Sequence, residues 1–148
     1  MGGKAVRDYR DLLVWQKGIA FVKDIYLATK RFPSDERFGL TDQMRRAAVS
    51  IPSNIAEGHA RQHRKEFRQF LHITLGSLAE LDTQLIVARD LEYISDEEVA
   101  GLGDKLTELR KMTCGLIAKL PVTPNPSSTV GELEWLHSPF GGKIDQKS

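Results

Sequence analysis

Phosphate neutralisation is the chemistry that the residue types of this chain make most available. Between Arg45 and Arg68 stand six bases, Arg45, Arg46, Arg61, Arg64, Lys65 and Arg68, against the two acids Glu57 and Glu66. The whole 148-residue chain has a formal net charge of only +1, so this basic run sits on a mildly acidic body. Arg61, Arg64, Lys65 and Arg68 are spaced by 3, 1 and 3 residues and share a face if a helix begins early. Clustered bases of this kind hold phosphates. Bases are disfavoured near a helix N-terminus, whose dipole end is positive. Their placement there points toward function, the plainer alternative being a solvated helix start.

Other reactive side chains carry weaker signals. Glu57 and Glu80 would form a carboxylate pair for acid–base work if two helices brought them together, but no nucleophile or base is adjacent in sequence. Helix register is therefore the preferred reading of that region, and no enzyme is expected. His59 and His63 are four residues apart, a spacing that can hold a metal, yet no acidic or thiol ligand follows at clear spacing and the surroundings are basic. No Glu-x-x-His pair of the di-iron bundles occurs, nor a phosphate-binding glycine loop. No metal and no cofactor are expected. The single cysteine, Cys114, falls beside an apolar seam and reads as a packed thiol.

Four amphipathic segments must position these residues, and nothing reads as a strand. The first runs from about Leu12 to Phe32, with Asp11 as N-cap. Trp15, Ile19, Val22 and Tyr26 form one seam, and Gly18, Phe21, Ile25 and Ala28 a second. The next segment extends from near Phe38 to Gly58, which is read as its C′ residue. In the third, Phe67, Leu71, Thr74, Leu78, Leu81, Leu85 and Ala88 alternate steps of 4 and 3, a strict heptad seam. The last opens on Ser95-Asp96-Glu97-Glu98, a capping box, and continues through Val99, Leu102, Leu106, Leu109, Thr113, Leu116 and Leu120. Short connections make consecutive helices antiparallel neighbours. The fold class is all-α, an antiparallel up-down-up-down four-helix bundle with a flexible C-terminal tail. Residues 1–11 form an N-terminal arm, 12–120 the bundle, and 121–148 a Pro/Ser-rich linker and tail. Leu133, Trp135, Leu136 and Phe140 in that tail carry the alternative of a docking peptide.

Several local oddities mark the second and third helices as a contact region. Pro52 in mid-helix removes a hydrogen bond and meets the carbonyl of Ala48, at a cost of about 3 kcal/mol, so a bend is expected. Ser50, Ser53, Asn54 and Glu57 on the second helix, with Ser77 and Glu80 on the third, suggest a hydrogen-bonded polar cluster. Gly76 in a helix interior costs roughly 1 kcal/mol relative to alanine, which close approach of another backbone would justify.

The chain resembles a bacterial family, the four-helix bundle proteins first noticed as products of intervening sequences in large-subunit ribosomal RNA genes. The resemblance is carried by Tyr9-Arg10-Asp11-Leu12-Leu13-Val14-Trp15-Gln16-Lys17, by Leu40 to Gly58 with its Arg-Arg-Ala-Ala-Val-Ser-Ile-Pro-Ser-Asn-Ile-Ala-Glu-Gly core, by Glu66-Phe67-Arg68-Gln69-Phe70-Leu71, by Gly76-Ser77-Leu78-Ala79-Glu80-Leu81 and by the turn from Leu91 to Ile94. It spans roughly residues 9 to 120. It implies a bundle that assembles into a ring, commonly a pentamer. A more remote resemblance is to the accessory bundle of diversity-generating retroelements, which partners a reverse transcriptase and nucleic acid. Neither relation implies an enzymatic activity. The expected function is non-catalytic binding of structured RNA by a homo-oligomer. The alternative is an oligomeric adaptor for a protein partner such as a reverse-transcriptase-like enzyme. No apolar run reaches the roughly 20 residues of a membrane span, no secretory signal is read at the N-terminus, and a single cysteine suits a reducing compartment, so a cytoplasmic location without membrane contact is expected.

Overall fold

The computed structural model describes residues 6–120; the expectations for the tail at 121–148 and for the first five residues lie outside the described residues. Four helices fill the described chain: α1 (Leu13–Thr29), α2 (Leu40–Ala60), α3 (Arg64–Asp90) and α4 (Asp96–Ala118). Short 3-10 turns at Tyr9–Asp11 and Ser34–Glu36 precede α1 and α2. Each helix packs on its two neighbours around a square, with α2 against α3 the densest seam and α1 against α4 the thinnest.

Cross-helix pairs fix the directions. Gly18 lies against Ile51 and Pro52, while Tyr26 and Thr29 meet Arg45, so α1 and α2 run oppositely. Ser50 pairs with Ser77 and Gly58 with Phe70, so α2 and α3 do too. Lys17 with Glu108, Asp24 with Lys105 and Arg31 with Glu98 oppose α1 and α4. The result is the up-down-up-down bundle. One end of it collects the C-termini of α2 and α4 and the N-termini of α1 and α3.

The heptad positions form the core. Phe21, Ile25, Met44, Ile51, Ile55, Leu71, Leu81, Leu85 and Leu109 are fully buried. Thr74 and Thr113 are buried among them, and each hydroxyl donates to the carbonyl one turn back, Phe70 O at 3.0 Å and Leu109 O at 2.8 Å. Those polar groups therefore cost the core little.

The helix ends differ from the sequence expectations in instructive ways. Asp11 does not cap α1: it closes a capping box with Asp8 around the first 3-10 turn, and Leu12 occupies the N-cap. Helix α1 stops at Thr29 rather than Phe32, and α2 begins at Leu40, whose amide donates to Glu36 Oε1 at 3.0 Å. Tyr93, from the α3–α4 turn, donates to the other Glu36 oxygen at 2.8 Å. The Leu40 amide first and the Tyr93 hydroxyl second hold the Glu36 carboxyl below its ordinary range. Ser95 and Glu98 do form the capping box of α4.

Gly58 is not a terminating residue. Helix α2 continues to Ala60, and a Cβ on Gly58 would stand 2.5 Å from Phe70 Cβ. Gly76, in contrast, faces open space, with nothing within 4 Å of an added Cβ. The close approach expected at Gly76 occurs at Gly58. Pro52 is buried against Gly18, whose added Cβ would lie 3.6 Å from the proline ring, and α2 continues on both sides of it.

These placements give opposite expectations for two alanine substitutions. Gly58→Ala is expected to destabilise the protein by about 1–3 kcal/mol through overpacking. Gly76→Ala is expected to stabilise it by roughly 0.5–1 kcal/mol through helix propensity. Urea unfolding measures both; destabilisation at Gly76 would show that this face is covered by another chain. Glu36→Gln is expected to lower stability at neutral pH. A carboxylate with a depressed folded pKa stabilises above its unfolded value of about 4.3, and that contribution is lost as pH falls through the folded value. The difference between Glu36→Gln and the parent should therefore shrink in unfolding curves recorded below about pH 4.

Candidate nucleic-acid interface

The α2–α3 connection is short because Gln62 adopts a left-handed conformation, φ 60°, between Ala60 and His63. His63 occupies the N-cap of α3 without a side-chain hydrogen bond to it, and only Glu66 is acidic in the first turn. Arg64 and Lys65 thus stand, exposed, at the positive end of the helix dipole. Arg68 lies four and three residues further on, along the same flank. An anionic ligand at this end would meet the side-chain charges and the helix dipole together.

The structure divides the six predicted bases. Arg64, Lys65 and Arg68 form one group. Arg61 sits on the flank toward α2, with its guanidinium 3.2 Å from Glu57 Oε2, 3.9 Å from Glu66 Oε2 and 5.4 Å from the Phe70 ring centre. Arg45 binds α1: Nε donates to Thr29 Oγ1 at 2.9 Å, and the guanidinium lies 4.5 Å from the Tyr26 ring centre. Arg46 is exposed and pairs with Asp42 at 2.9 Å. Arg45 and Arg46 lie on the order of 22 Å along α2 from Arg61, so they belong to the opposite half of the bundle.

Of the expected polar cluster, the centre forms. The Ser50 and Ser77 hydroxyls share a 2.6 Å hydrogen bond, and Asn54 Nδ2 donates to Ser50 O at 2.8 Å. Glu57 and Glu80 do not come together. Glu57 is level with Phe70, which places Glu80 about 15 Å away along α3, where it accepts from Gln84. Antiparallel packing therefore separates the candidate carboxylate pair. His59 packs its ring edge-on against Phe67, centres 5.4 Å apart, and His63 stands beyond the helix end.

Burial raises the Cys114 thiol above its ordinary value, with Arg110 partly opposing, which keeps the sulfur protonated and a poor nucleophile. Burial lowers the imidazole of His72, and Arg68 one turn away lowers it further. Positive charge is thus felt along the flanks of both α3 and α4.

Two surface features escaped the sequence reading. A groove of about 300 Å³ runs between α1 and α4, floored by Leu27, Ala28 and Leu102 and bridged by Lys105–Asp24 at 2.8 Å and by Arg31–Glu98. The Arg31 hydrogen bond, assisted by Ser95, holds Glu98 below its ordinary pKa despite partial desolvation. Gly101 in mid-helix, with open space around it, is the sequence signal for this groove. The second feature is an apolar face between α1 and α2, where Ile19 (46% exposed), Tyr26 (42%) and Val49 (41%) stand in solvent beside Trp15 and Val22. Its signal was the Trp15, Ile19, Val22 and Tyr26 seam of α1, in which Ile19 and Tyr26 face solvent while Trp15 and Val22 pack against the edge of the core.

A solved structure from Bacteroides thetaiotaomicron, described as a protein with unknown function from the S23 ribosomal protein family, is similar to this chain. Its TM-score is 0.66 at 27% sequence identity, covering 71% of this chain and 98% of that one. No curated protein matches. The family model for the 23S rRNA-intervening sequence protein matches residues 10–115, a span that contains all four helices except the last turn of α4. The chain belongs to the 23S rRNA-intervening sequence protein family.

Proposed function

We propose that this protein is a non-catalytic, homo-oligomeric bundle that binds structured RNA through its basic end. The observation that carries the reading is the grouping of exposed Arg64 and Lys65 with Arg68 at the N-terminus of α3. There the helix dipole and three bases favour the same anionic ligand. Arg61, already engaged with Glu57 and Glu66, serves as a flanking charge, and Arg46 lies too far away to share a phosphate with them. The reading places the protein in the cytoplasm, and no helix among the described residues is long and apolar enough to cross a membrane.

Self-association is the second part of the proposal, a ring of five being the form the family resemblance implies. The apolar face of Trp15, Ile19, Val22, Tyr26 and Val49 supports it, because surface of this kind is costly to leave in water. A ring repeats the basic end, and repetition turns weak phosphate contacts into useful affinity.

Binding of a labelled RNA hairpin is expected to weaken by roughly a thousandfold between about 50 and 200 mM salt if six or more phosphates are engaged across the ring. Arg64→Glu with Lys65→Glu should abolish it while circular dichroism and mass remain unchanged. Salt-independent binding, or none at low salt, would instead favour an adaptor for a protein partner. Light scattering should report a multimer for the parent chain, and Ile19→Glu with Val49→Glu should yield monomers that remain helical.

A further inference from the structure

We infer that the outward face of α1 docks, parallel and in register, against the outward face of α3 on a second copy of this chain, an inference that rests on the self-association proposed above. Exposed apolar side chains are unevenly spread over the bundle. Helix α4 exposes no large one, whereas α1 exposes Leu13, Ile19, Tyr26 and Leu27, and α3 exposes Ile73, Ile86 and Val87. A helix that is apolar on its outer as well as its inner face belongs in an interior. Each of these two helices carries a second heptad on the side away from the core. On α1 it is Leu13, Gln16, Ala20, Lys23, Leu27 and the C-cap residue Lys30, with steps of 3, 4, 3, 4 and 3. On α3 it is Ile73, Gly76, Glu80, Thr83, Val87 and Asp90, with the same steps in the same order. All twelve residues are exposed. Ile19 and Tyr26 border the α1 stripe on the side of α2, so the stripe is continuous with the apolar face assigned to self-association.

Charge and size decide what covers each stripe. The only charges of the α1 stripe are Lys23 and Lys30, and neither makes an ion pair among the described residues. The only charges of the α3 stripe are Glu80, which accepts from Gln84, and Asp90, which pairs with its neighbour Arg89; both stay exposed. Either stripe facing its own copy gathers four like charges, whereas α1 facing α3 gathers two of each sign. In a parallel contact the two patterns coincide along their whole length. Leu13 then lies by Ile73, Leu27 by Val87 and Lys30 by Asp90, with Lys23 one layer from Glu80. Gln16 lies over Gly76 and Lys23 over Thr83, a long side chain over a short one each time. An antiparallel contact loses these matches: it sets Lys23 against Val87 when Lys30 meets Glu80, and Leu13 against Asp90 when Lys23 meets Glu80. The up-down-up-down order makes α1 and α3 parallel within one copy, at opposite corners of the square. A parallel contact therefore keeps all copies in one orientation, and each copy gives α1 to one neighbour and α3 to the next. A contact of this heterologous kind generates closed rings or open filaments rather than a two-fold dimer.

The test is the mass of the full chain by light scattering at low ionic strength, where exposed charges are least screened, with circular dichroism as the folding control. Lys23→Glu with Lys30→Glu should reduce the parental multimer to single chains, and so should Glu80→Lys with Asp90→Lys. All four positions lie outside the core, so helicity should be unchanged. The chain that carries all four substitutions should recover the parental mass, because each contact then has its charges exchanged rather than opposed. Parental mass in either charge-reversed pair would overturn the inference, as would a fourfold variant that stays monomeric. Should Ile19→Glu with Val49→Glu give monomers while both charge-reversed pairs keep the parental mass, self-association stands and this contact does not. A parent chain that is itself monomeric would overturn both readings together.

Discussion

The close contact of α2 with α3 sets the geometry on which the rest of the bundle depends. At Gly58 the two helices approach until the absent Cβ is all that separates them, and Phe70 fills the space a side chain would have taken. Two turns away the Ser50 and Ser77 hydroxyls meet at 2.6 Å. The first contact is steric and the second is polar, and they fix register in different ways. A slide along the axis drives Phe70 into Ile55 or Arg61 and at once separates the serines, each then half-buried without this partner. With α2 and α3 locked, the three-residue turn has no freedom left, and the bases that follow it are held at the end of the bundle.

That constraint explains why a cluster that looks continuous in sequence is discontinuous in space. A helix of 21 residues carries Arg45 and Arg46 away from Arg61. Periodicity then directs each base differently. Arg45 turns toward α1 and is absorbed by Tyr26 and Thr29, whereas Arg46 turns outward and finds Asp42. Arg61 folds over Phe70, a position that covers the same aromatic ring that Gly58 contacts. Only Arg64, Lys65 and Arg68 share one helix and one flank. A charge count over a window treats these six residues as equal, but burial and helical phase do not.

The heptads made the architecture legible. Steps of 3 and 4 persisting through α3 and α4 leave one consistent face to bury; all seven α3 seam residues are buried, whereas α4 buries Leu102, Leu106, Leu109 and Thr113 of its seam and then Ile117 in place of Leu116. Termini were less legible because several residue types serve two purposes. Glycine after an apolar seam signals a helix end when φ is positive, but Gly58 is retained for its lack of a side chain, inside the helix. Asp11 has the chemistry of an N-cap and uses it on the preceding 3-10 turn instead. Gly76 carries the propensity cost of an interior glycine without the compensating contact. The polar cluster was legible as a region, and only its centre forms, because which of Ser50, Glu57 and Glu80 meet depends on antiparallel register, which sequence spacing on separate helices does not encode.

Charge also divides the two flanks of α4, and this division links the stability of the bundle to its surface chemistry. On the flank toward α1, Glu98, Lys105 and Glu108 meet Arg31, Asp24 and Lys17 in sequence order. Each exposed pair contributes only about 0–1 kcal/mol, so their sum does not replace the thinner apolar packing of that seam. Their value lies in order: a slide of one turn, about 5.4 Å, weakens all three together. On the other flank, toward α3, Arg110 faces the side that carries Arg68 and His72. On the flank toward α1 the helix thus uses paired charge where it needs register. The same core stripe supports both flanks, so the surface can specialise without altering the residues that make the fold.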